Sequence, residues 1–227
     1  PAHLAKIVAT LDVLSGGRAV CGLGLAWFRE EHLAYGWDFP TTAQRYALLE
    51  DSLQLLPHMW GPGKSPFTGQ VITVPDTTCY PRPLQQHVPV VVGGGGERRT
   101  LRMAARYADA ANVTGDAATV RHKAAVLRAH CVDVGRDPAD VAMTHLSTAL
   151  VGVDDRDVAE LVDRHRPPRQ DPARYATAVN AGTVDDHIGR FRELAEAGAQ
   201  EVMVRLPDVA DSTSLERMAK VIAAFRA

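Results

Sequence analysis

The stretch Val88-Pro89-Val90-Val91-Val92-Gly93-Gly94-Gly95-Gly96-Glu97-Arg98-Arg99-Thr100-Leu101 carries the reading of this chain. Its first part is rich in β-branched residues and reads as a buried strand. Four glycines follow, and then Leu101, Ala104, Ala105 and Ala108 recur at helical spacing. A strand that runs through glycines into a helix leaves the first backbone N–H groups of that helix without intrahelical partners. Those donors, with the positive end of the helix dipole, make a place for a phosphate. Glycine lets the backbone come close, because no Cβ intervenes. A flexible strand-to-helix turn would be served by one or two glycines. Four in succession, with Arg98 and Arg99 in the first helical turn, favour an anion site. Two cations there oppose the helix dipole unless something negative sits nearby.

Outward from this stretch the chain repeats the same alternation. Leu4, Ile7, Val8, Leu11 and Leu14 share a helical face that Gly16-Gly17 should stop, and Arg18 to Leu23 reads as a strand closed by Gly22-Leu23-Gly24. Thr41-x-x-Gln44 has the form of a capping box for a helix whose face is Tyr46, Leu49, Leu53 and Leu56, with Pro57 expected to end or kink it. Phe67 to Val74 reads as a small hairpin. With the prolines around it, it forms an excursion near residues 61–87, placed as a surface lid or rim.

Beyond the glycines, Asp109 to Val113 reads as a strand. Val120, Ala124, Leu127 and Cys131 mark a helix ending near Gly135, and Val141 to Val153 contains another strand. Asp154 to His165 reads as a helix and residues 166–172 as a loop. Thr183-x-x-Asp186 caps a helix with Ile188, Phe191 and Leu194 inside and Gly198 after it. Glu201 to Leu206 is a strand, and Leu215, Met218, Val221, Ile222 and Phe225 should face inward from a last helix.

A helix followed by five strand–helix units argues for an α/β fold with a parallel sheet under helical cover. A five-stranded doubly wound sheet would be complete in this length. A (β/α)8 barrel needs roughly 250 residues and eight strands, so its first three strands would be lacking here. The chain opens on a helical pattern at Pro1 rather than on Met or a strand, which favours the barrel.

Composition bounds the function. The 227 residues are 46% apolar with a net charge of −2. The basic residues are scattered, so neither nucleic acid nor a membrane surface is an expected partner. No apolar run reaches the roughly 18 residues of a span, and no signal peptide is visible. Cys21, Cys79 and Cys131 are too few and too far apart for a disulfide framework or a zinc site, so reduced thiols and a cytoplasmic location are expected. The histidines show no metal-ligand spacing, and no metal is expected.

Gly22-Leu-Gly24-Leu-Ala-Trp27 fails as a dinucleotide fingerprint, because Trp27 stands where a small residue must pack. The run Gly93 to Gly96 lacks the Gly-Lys-Ser/Thr ending of a nucleotide-hydrolysing loop, and there is no GxSxG elbow. Trp27, Phe28, Tyr35, Trp37 and Phe39 cluster after the Gly22–Gly24 strand end. They form either a hydrophobic plug beneath a long loop or an aromatic wall beside a planar cofactor or apolar substrate, with Trp27 and Phe28 nearest the substrate side. Glu30-Glu31-His32 reads as a solvated helix face or as the holder of an acid/base group.

In their order and spacing these motifs resemble the bacterial luciferase-like monooxygenase superfamily. The resemblance runs through Thr10-Leu-Asp-Val-Leu-Ser-Gly-Gly-Arg18, Gly22-Leu-Gly24, Trp27-Phe28-x-Glu30-Glu31-His32-x-x-Tyr35-Gly36, Phe67-x-Gly69, Pro81-Arg82-Pro83, Gly93 to Leu101 and Ala105 to Ala110. It continues through Gly135-Arg-Asp-Pro138, Gly182-Thr183 and Ala197-Gly198. Within the superfamily the chain is similar to the deazaflavin branch, the coenzyme F420-dependent oxidoreductases. The resemblance implies a single (β/α)8 barrel domain over 1–227 without its first three strands, and a rim insertion near 61–87. By the same resemblance, Gly22, Leu23 and Gly24 end the fourth strand, along which the cofactor ring lies. Gly93, Gly94, Gly95 and Gly96, with Glu97 and Thr100, form the phosphate-binding turn after the fifth.

It further implies hydride transfer between F420 and a small organic substrate, and a homodimer. An FMN-dependent monooxygenase using O2 is the alternative, and a non-catalytic, degenerate cofactor-binding barrel the third reading. Some members that use a sugar phosphate or an alcohol carry Glu directly after the strand-four glycines, where this chain has Leu25. No catalytic acid or base is named.

Overall fold

The computed structural model describes residues 1–226. In chain order the elements are α1 (Ala2–Ser15), β1 (Cys21–Gly24), α2 (Arg29–Ala34), α3 (Thr42–Trp60), β2 (Phe67–Thr68), β3 (Thr73–Val74), β4 (Val90–Gly93), α4 (Thr100–Tyr107) and β5 (Ala110–Val113). Then come α5 (Ala117–Asp133), β6 (Ala142–Thr148), β7 (Leu150–Gly152), α6 (Asp155–His165), α7 (Pro172–Ala178), β8 (Ala181–Thr183), α8 (Val184–Glu196), β9 (Glu201–Arg205) and α9 (Ser212–Ala223). The fold is α/β with parallel principal strands, and it forms two compact units: residues 1–112 with 125–142, and 113–124 with 143 onward.

In the first unit β1 pairs in parallel with β4, and β4 with β5. Each of these strands thus lies beside its predecessor, as in the winding of a (β/α)8 barrel. The capping box forms at α3: Gln44 N–H donates to Thr41 Oγ1 (3.4 Å) and Thr41 N–H to Gln44 Oε1 (3.0 Å). Leu53, Leu55 and Leu56 are fully buried, each contributing on the order of 2 kcal/mol of transfer free energy. Leu55, Leu56 and Met59 pack with Ala5, Val8 and Ala9 of α1 and Cys21 of β1. Pro57 does not end α3 as expected. It lies in the last turn, and the helix reaches Trp60, where Gly61 N–H donates to Pro57 O (3.0 Å). Trp60 Nε1–H then donates to Ala5 O (2.9 Å), which holds that last turn against α1.

Two buried carboxylates tie residues 61–87 to these helices. Asp51 on α3 accepts from the backbone N–H of Gln70, Val71 and Ile72 at 2.7–2.9 Å, at the turn of the antiparallel β2–β3 hairpin. Asp12 on α1 accepts from the N–H of Leu84 (2.7 Å), Gln85 (3.0 Å) and Ala19 (3.2 Å), and from Gln85 Nε2 (2.6 Å). Arg82 donates to the carbonyls of Met59, Gly61 and Gly63. Gly69 is required here, because a Cβ would stand 2.4 Å from the Asp51 carboxylate.

In the second unit β6 pairs in parallel with β9, and β7 with β8. The expected strand between Val141 and Val153 is thus two strands broken at Ala149. Two elements escaped the sequence reading: α7, capped by Asp171 through Arg174 N–H (2.8 Å), and the three-residue β8. The Thr183–Asp186 box caps α8 reciprocally (2.8 and 3.3 Å). On α9, Met218 and Val221 are buried as expected, but Leu215 and Ile222 are 49% and 42% exposed, and Phe225, just past its end, is 44% exposed. Its apolar stripe is wider than the surface it covers within this unit. Among the described residues no helix is long and apolar enough to cross a membrane.

Replacing Asp51 by Ala removes the buried carboxylate that three consecutive N–H donors share. A loss of more than about 2 kcal/mol, read as a lower urea midpoint, is expected. Burial alone would raise the Asp12 carboxyl, yet the donors from Gln85, Ala19 and Leu84 hold it below its usual 3.8. A depressed folded value means the stabilisation is complete above the unfolded pKa and is lost as the pH falls through the folded one. The urea midpoint should therefore drop below pH 3.8 by more in the native protein than in Asp12→Asn.

Candidate functional site: paired glycine strand ends

The register of β1 on β4 sets Cys21 against Val90, Gly22 against Val91, Leu23 against Val92 and Gly24 against Gly93. Two adjacent parallel strands thus end on glycine at the same level. A Cβ on Gly24 would stand 3.5 Å from Gly93 O. The backbone is bare where the two ends meet.

After β1 the chain turns through Leu25 and Ala26, the latter with φ 60°, a left-handed conformation unusual for a residue with a Cβ. Arg45 of α3 holds this turn. Its guanidinium donates to Ala26 O, to Leu25 O (3.4 Å) and, through Nε, to Pro40 O (3.1 Å), and it stacks 4.2 Å from the Phe39 ring. Leu23, Gly24, Ala26, His32, Arg45 and Leu49 line a groove of about 310 Å³. Trp27 and Phe28 pack on each other (5.4 Å between ring centres), and Trp27 is 85% exposed. Neither lines this groove, and with Tyr35 and Trp37 also exposed the cluster is no buried plug. Glu30, Glu31 and His32 lie on the short helix α2, where His32 Nδ1 is 3.1 Å from Phe28 O.

After β4, Gly94 N–H donates to Asn112 O at the end of β5 (2.9 Å), and Gly94 has φ 126°. Only glycine takes that conformation without strain. Arg98 and Arg99 are not inside the helix as expected: α4 begins at Thr100, with Arg99 at its N-cap and no side-chain cap. Leu101 N–H donates back to Gly96 O (3.0 Å). Among the described residues, no backbone carbonyl accepts from the N–H groups of Gly95, Gly96 or Arg98. A Cβ on Gly96 would stand 2.7 Å from Thr100 Oγ1 and 3.3 Å from Tyr46 Oη, so the turn fits only without a side chain.

Side chains behind the turn hold it. Tyr46 Oη and the buried Thr100 Oγ1 are 3.1 Å apart, the Arg99 guanidinium lies 4.1 Å from the Tyr46 ring centre, and Glu97 O accepts from His130 Nε2 (2.7 Å). Sequence reasoning placed Tyr46 on an apolar face, and it singled out neither Arg45 nor His130. The only signal was a Tyr within a leucine stripe, whose hydroxyl needs a polar partner.

The second unit has a polar cavity of about 430 Å³ near Gly115, His145, Asn180 and Arg190, with His145 Nε2 2.9 Å from Gly115 O. No sequence motif pointed to it. No acidic, histidine and cysteine cluster able to hold a metal occurs among the described residues.

The family model for luciferase-like monooxygenases matches residues 1–214. The chain belongs to the luciferase-like monooxygenase family. An uncharacterised protein of Mycobacterium tuberculosis is 27% identical over 226 residues, 98% of this chain and 66% of that protein. This chain thus spans about two-thirds of that relative's length. An F420-dependent glucose-6-phosphate dehydrogenase of Kineococcus radiotolerans is 38% identical over 96 residues, 42% of this chain and 28% of its own. An FMNH2-dependent dimethylsulfone monooxygenase of Pseudomonas putida is 33% identical over 109 residues, 48% and 30% of the two chains. Among solved structures, an F420-dependent secondary alcohol dehydrogenase in complex with an F420-acetone adduct superposes with a TM-score of 0.80 at 19% identity. It is matched over 100% of this chain and 76% of that one. This last likeness is one of fold.

The thiols of this luciferase-like chain are out of reach: all are free and buried, and burial pushes Cys21 up to about 11. The folded protein at pH 8 should resist a disulfide-exchange reagent and take up three equivalents only after unfolding. In Gly96→Ala, the methyl group meets Thr100 and Tyr46. Binding of a phosphate-bearing flavin or deazaflavin should weaken at least tenfold, while the urea midpoint falls by the equivalent of about 1–3 kcal/mol.

Proposed function

We propose that the chain holds a phosphate-bearing deazaflavin, coenzyme F420, against the paired ends of β1 and β4, within an oxidoreductase acting on a small organic substrate. The observation that carries this reading is the uncapped glycine turn after β4. Among the described residues its Gly95, Gly96 and Arg98 N–H groups donate to no backbone carbonyl, and its Gly96 position leaves no room for a Cβ. Donors of this kind at a helix start suit a phosphate. Gly93 to Gly96 with Glu97 and Thr100 would hold the phosphate. The backbone of Gly22, Leu23 and Gly24 would lie along the ring, since no Cβ on Gly22 or Gly24 blocks a flat approach. When bound, F420 supplies two-electron hydride chemistry. The protein's part is to hold the ring and shape the approach. Arg45 fixes the Leu25–Ala26 turn, and the groove beside it, lined by Leu23 and Leu49, offers apolar walls to a substrate.

F420 rather than FMN is favoured by the run of motifs from Thr10 to Gly198. Leu25 stands where a proton-transferring Glu would be needed for some sugar-phosphate and alcohol substrates, which directs a substrate screen elsewhere. A homodimer through outer helices is part of the same reading.

The test is a fluorescence titration of F420 and, in parallel, FMN on protein of verified N-terminus. Tight binding of F420 with weak binding of FMN is the expected result. The reverse preference assigns the chain to the oxygen-using monooxygenases, and binding of neither overturns the cofactor reading.

A further inference from the structure

We propose that His130, on α5, is a positioning residue that aims the phosphate turn, an inference that rests on the reading of that turn given above. The Glu97–Arg98 peptide is planar, so its C=O and N–H point in opposite directions. His130 Nε2 fixes the oxygen of that peptide at 2.7 Å. The Arg98 N–H is thereby turned away from α5, towards the open side of the turn, where no backbone carbonyl meets it among the described residues. Without the histidine this peptide can rotate and withdraw a donor from the anion. The other side of the turn is already fixed, since Tyr46 contacts both the Thr100 hydroxyl (3.1 Å) and the Arg99 guanidinium (4.1 Å to its ring centre). The turn is thus gripped by α3 through a hydroxyl and by α5 through an imidazole.

The surroundings of His130 argue for more than a surface contact. Donation to Glu97 O requires the proton on Nε2. Nδ1 is buried and makes no hydrogen bond. Asp133 Oδ2, which also faces Arg102 Nη1 at 3.7 Å, lies 3.9 Å from it. The ring is therefore held through its front nitrogen, on the Glu97 carbonyl.

The test compares His130→Ala, His130→Gln and His130→Asn. Gln places its amide nitrogen near the position of Nε2, whereas Asn reaches only the position of Nδ1. Each protein is titrated with the phosphate-bearing cofactor that the native protein binds and with the same ring system lacking the phosphate. His130→Ala should weaken the phosphate-bearing ligand about tenfold and leave the phosphate-free one unchanged. Gln should restore most of the affinity and Asn none of it. Equal weakening of both ligands, or no weakening, overturns the inference and leaves the cofactor reading standing. If the native protein binds neither F420 nor FMN, that reading falls, and inorganic phosphate titrated against the amide resonances decides separately. A shift at Arg98 that His130→Ala abolishes upholds the role of His130, and an unmoved Arg98 in the native protein overturns it.

Discussion

The parallel pairing of β1 with β4 is the constraint on which the rest of the site depends. Its register brings Gly24 beside Gly93, so both strands release their chains at the same level with no side chain over the junction. A shift of one residue would set Leu23 or Val92 where a glycine now stands. The register is held by burial, since Cys21, Val90 and Val92 all face apolar neighbours. The hydrophobic effect that packs the sheet therefore also sets the alignment of the two bare backbone ends.

Around that junction the protein fixes backbone with side chains drawn from helices. Arg45 holds the chain leaving β1, Tyr46 and His130 hold the chain leaving β4, and Asn112 O accepts from Gly94. Glycine gives the close approach but adds conformational freedom that must be removed elsewhere. Each support comes from a residue distant in sequence, so the order of the turn exists only in the folded unit. The carboxylates of Asp12 and Asp51 do the same for residues 61–87, where three consecutive backbone donors converge on one side chain. A carboxylate suits that task, because its lone pairs accept several N–H groups at once.

The family likeness and the geometry bear on different questions. The match over residues 1–214 and the order of β1, β4 and β5 agree on the fold. Relatives using F420 and relatives using FMNH2 share that fold, so it does not select the cofactor. What this chain adds is its own set of contacts: Leu25 after the glycines, an uncapped α4, and an imidazole on the Glu97 carbonyl.

The sequence by itself determined the alternation of strands and helices, the caps at Thr41 and Thr183, and the glycine turn with its neighbouring strand end. These rest on local rules, since periodicity, capping and the absence of a Cβ act within a few residues. Pro57 read too strongly as a stop because a proline removes a bond from its own helix, whereas Trp60 and Gly61 anchor the following turn through Ala5 and Pro57. The three-residue β8 and the short α7 are too brief to leave a periodic signal. The exposure of Leu215, Ile222 and Phe225 could not be read from α9 alone, because periodicity gives a face but not what covers it. Only the tertiary structure decided that Trp27 faces outward, that Arg45 grips the Leu25–Ala26 turn, and that Tyr46 and His130 meet the glycine turn after β4. Those contacts join residues 19 to 54 positions apart, and such distances are set by how the elements pack, which no local pattern records.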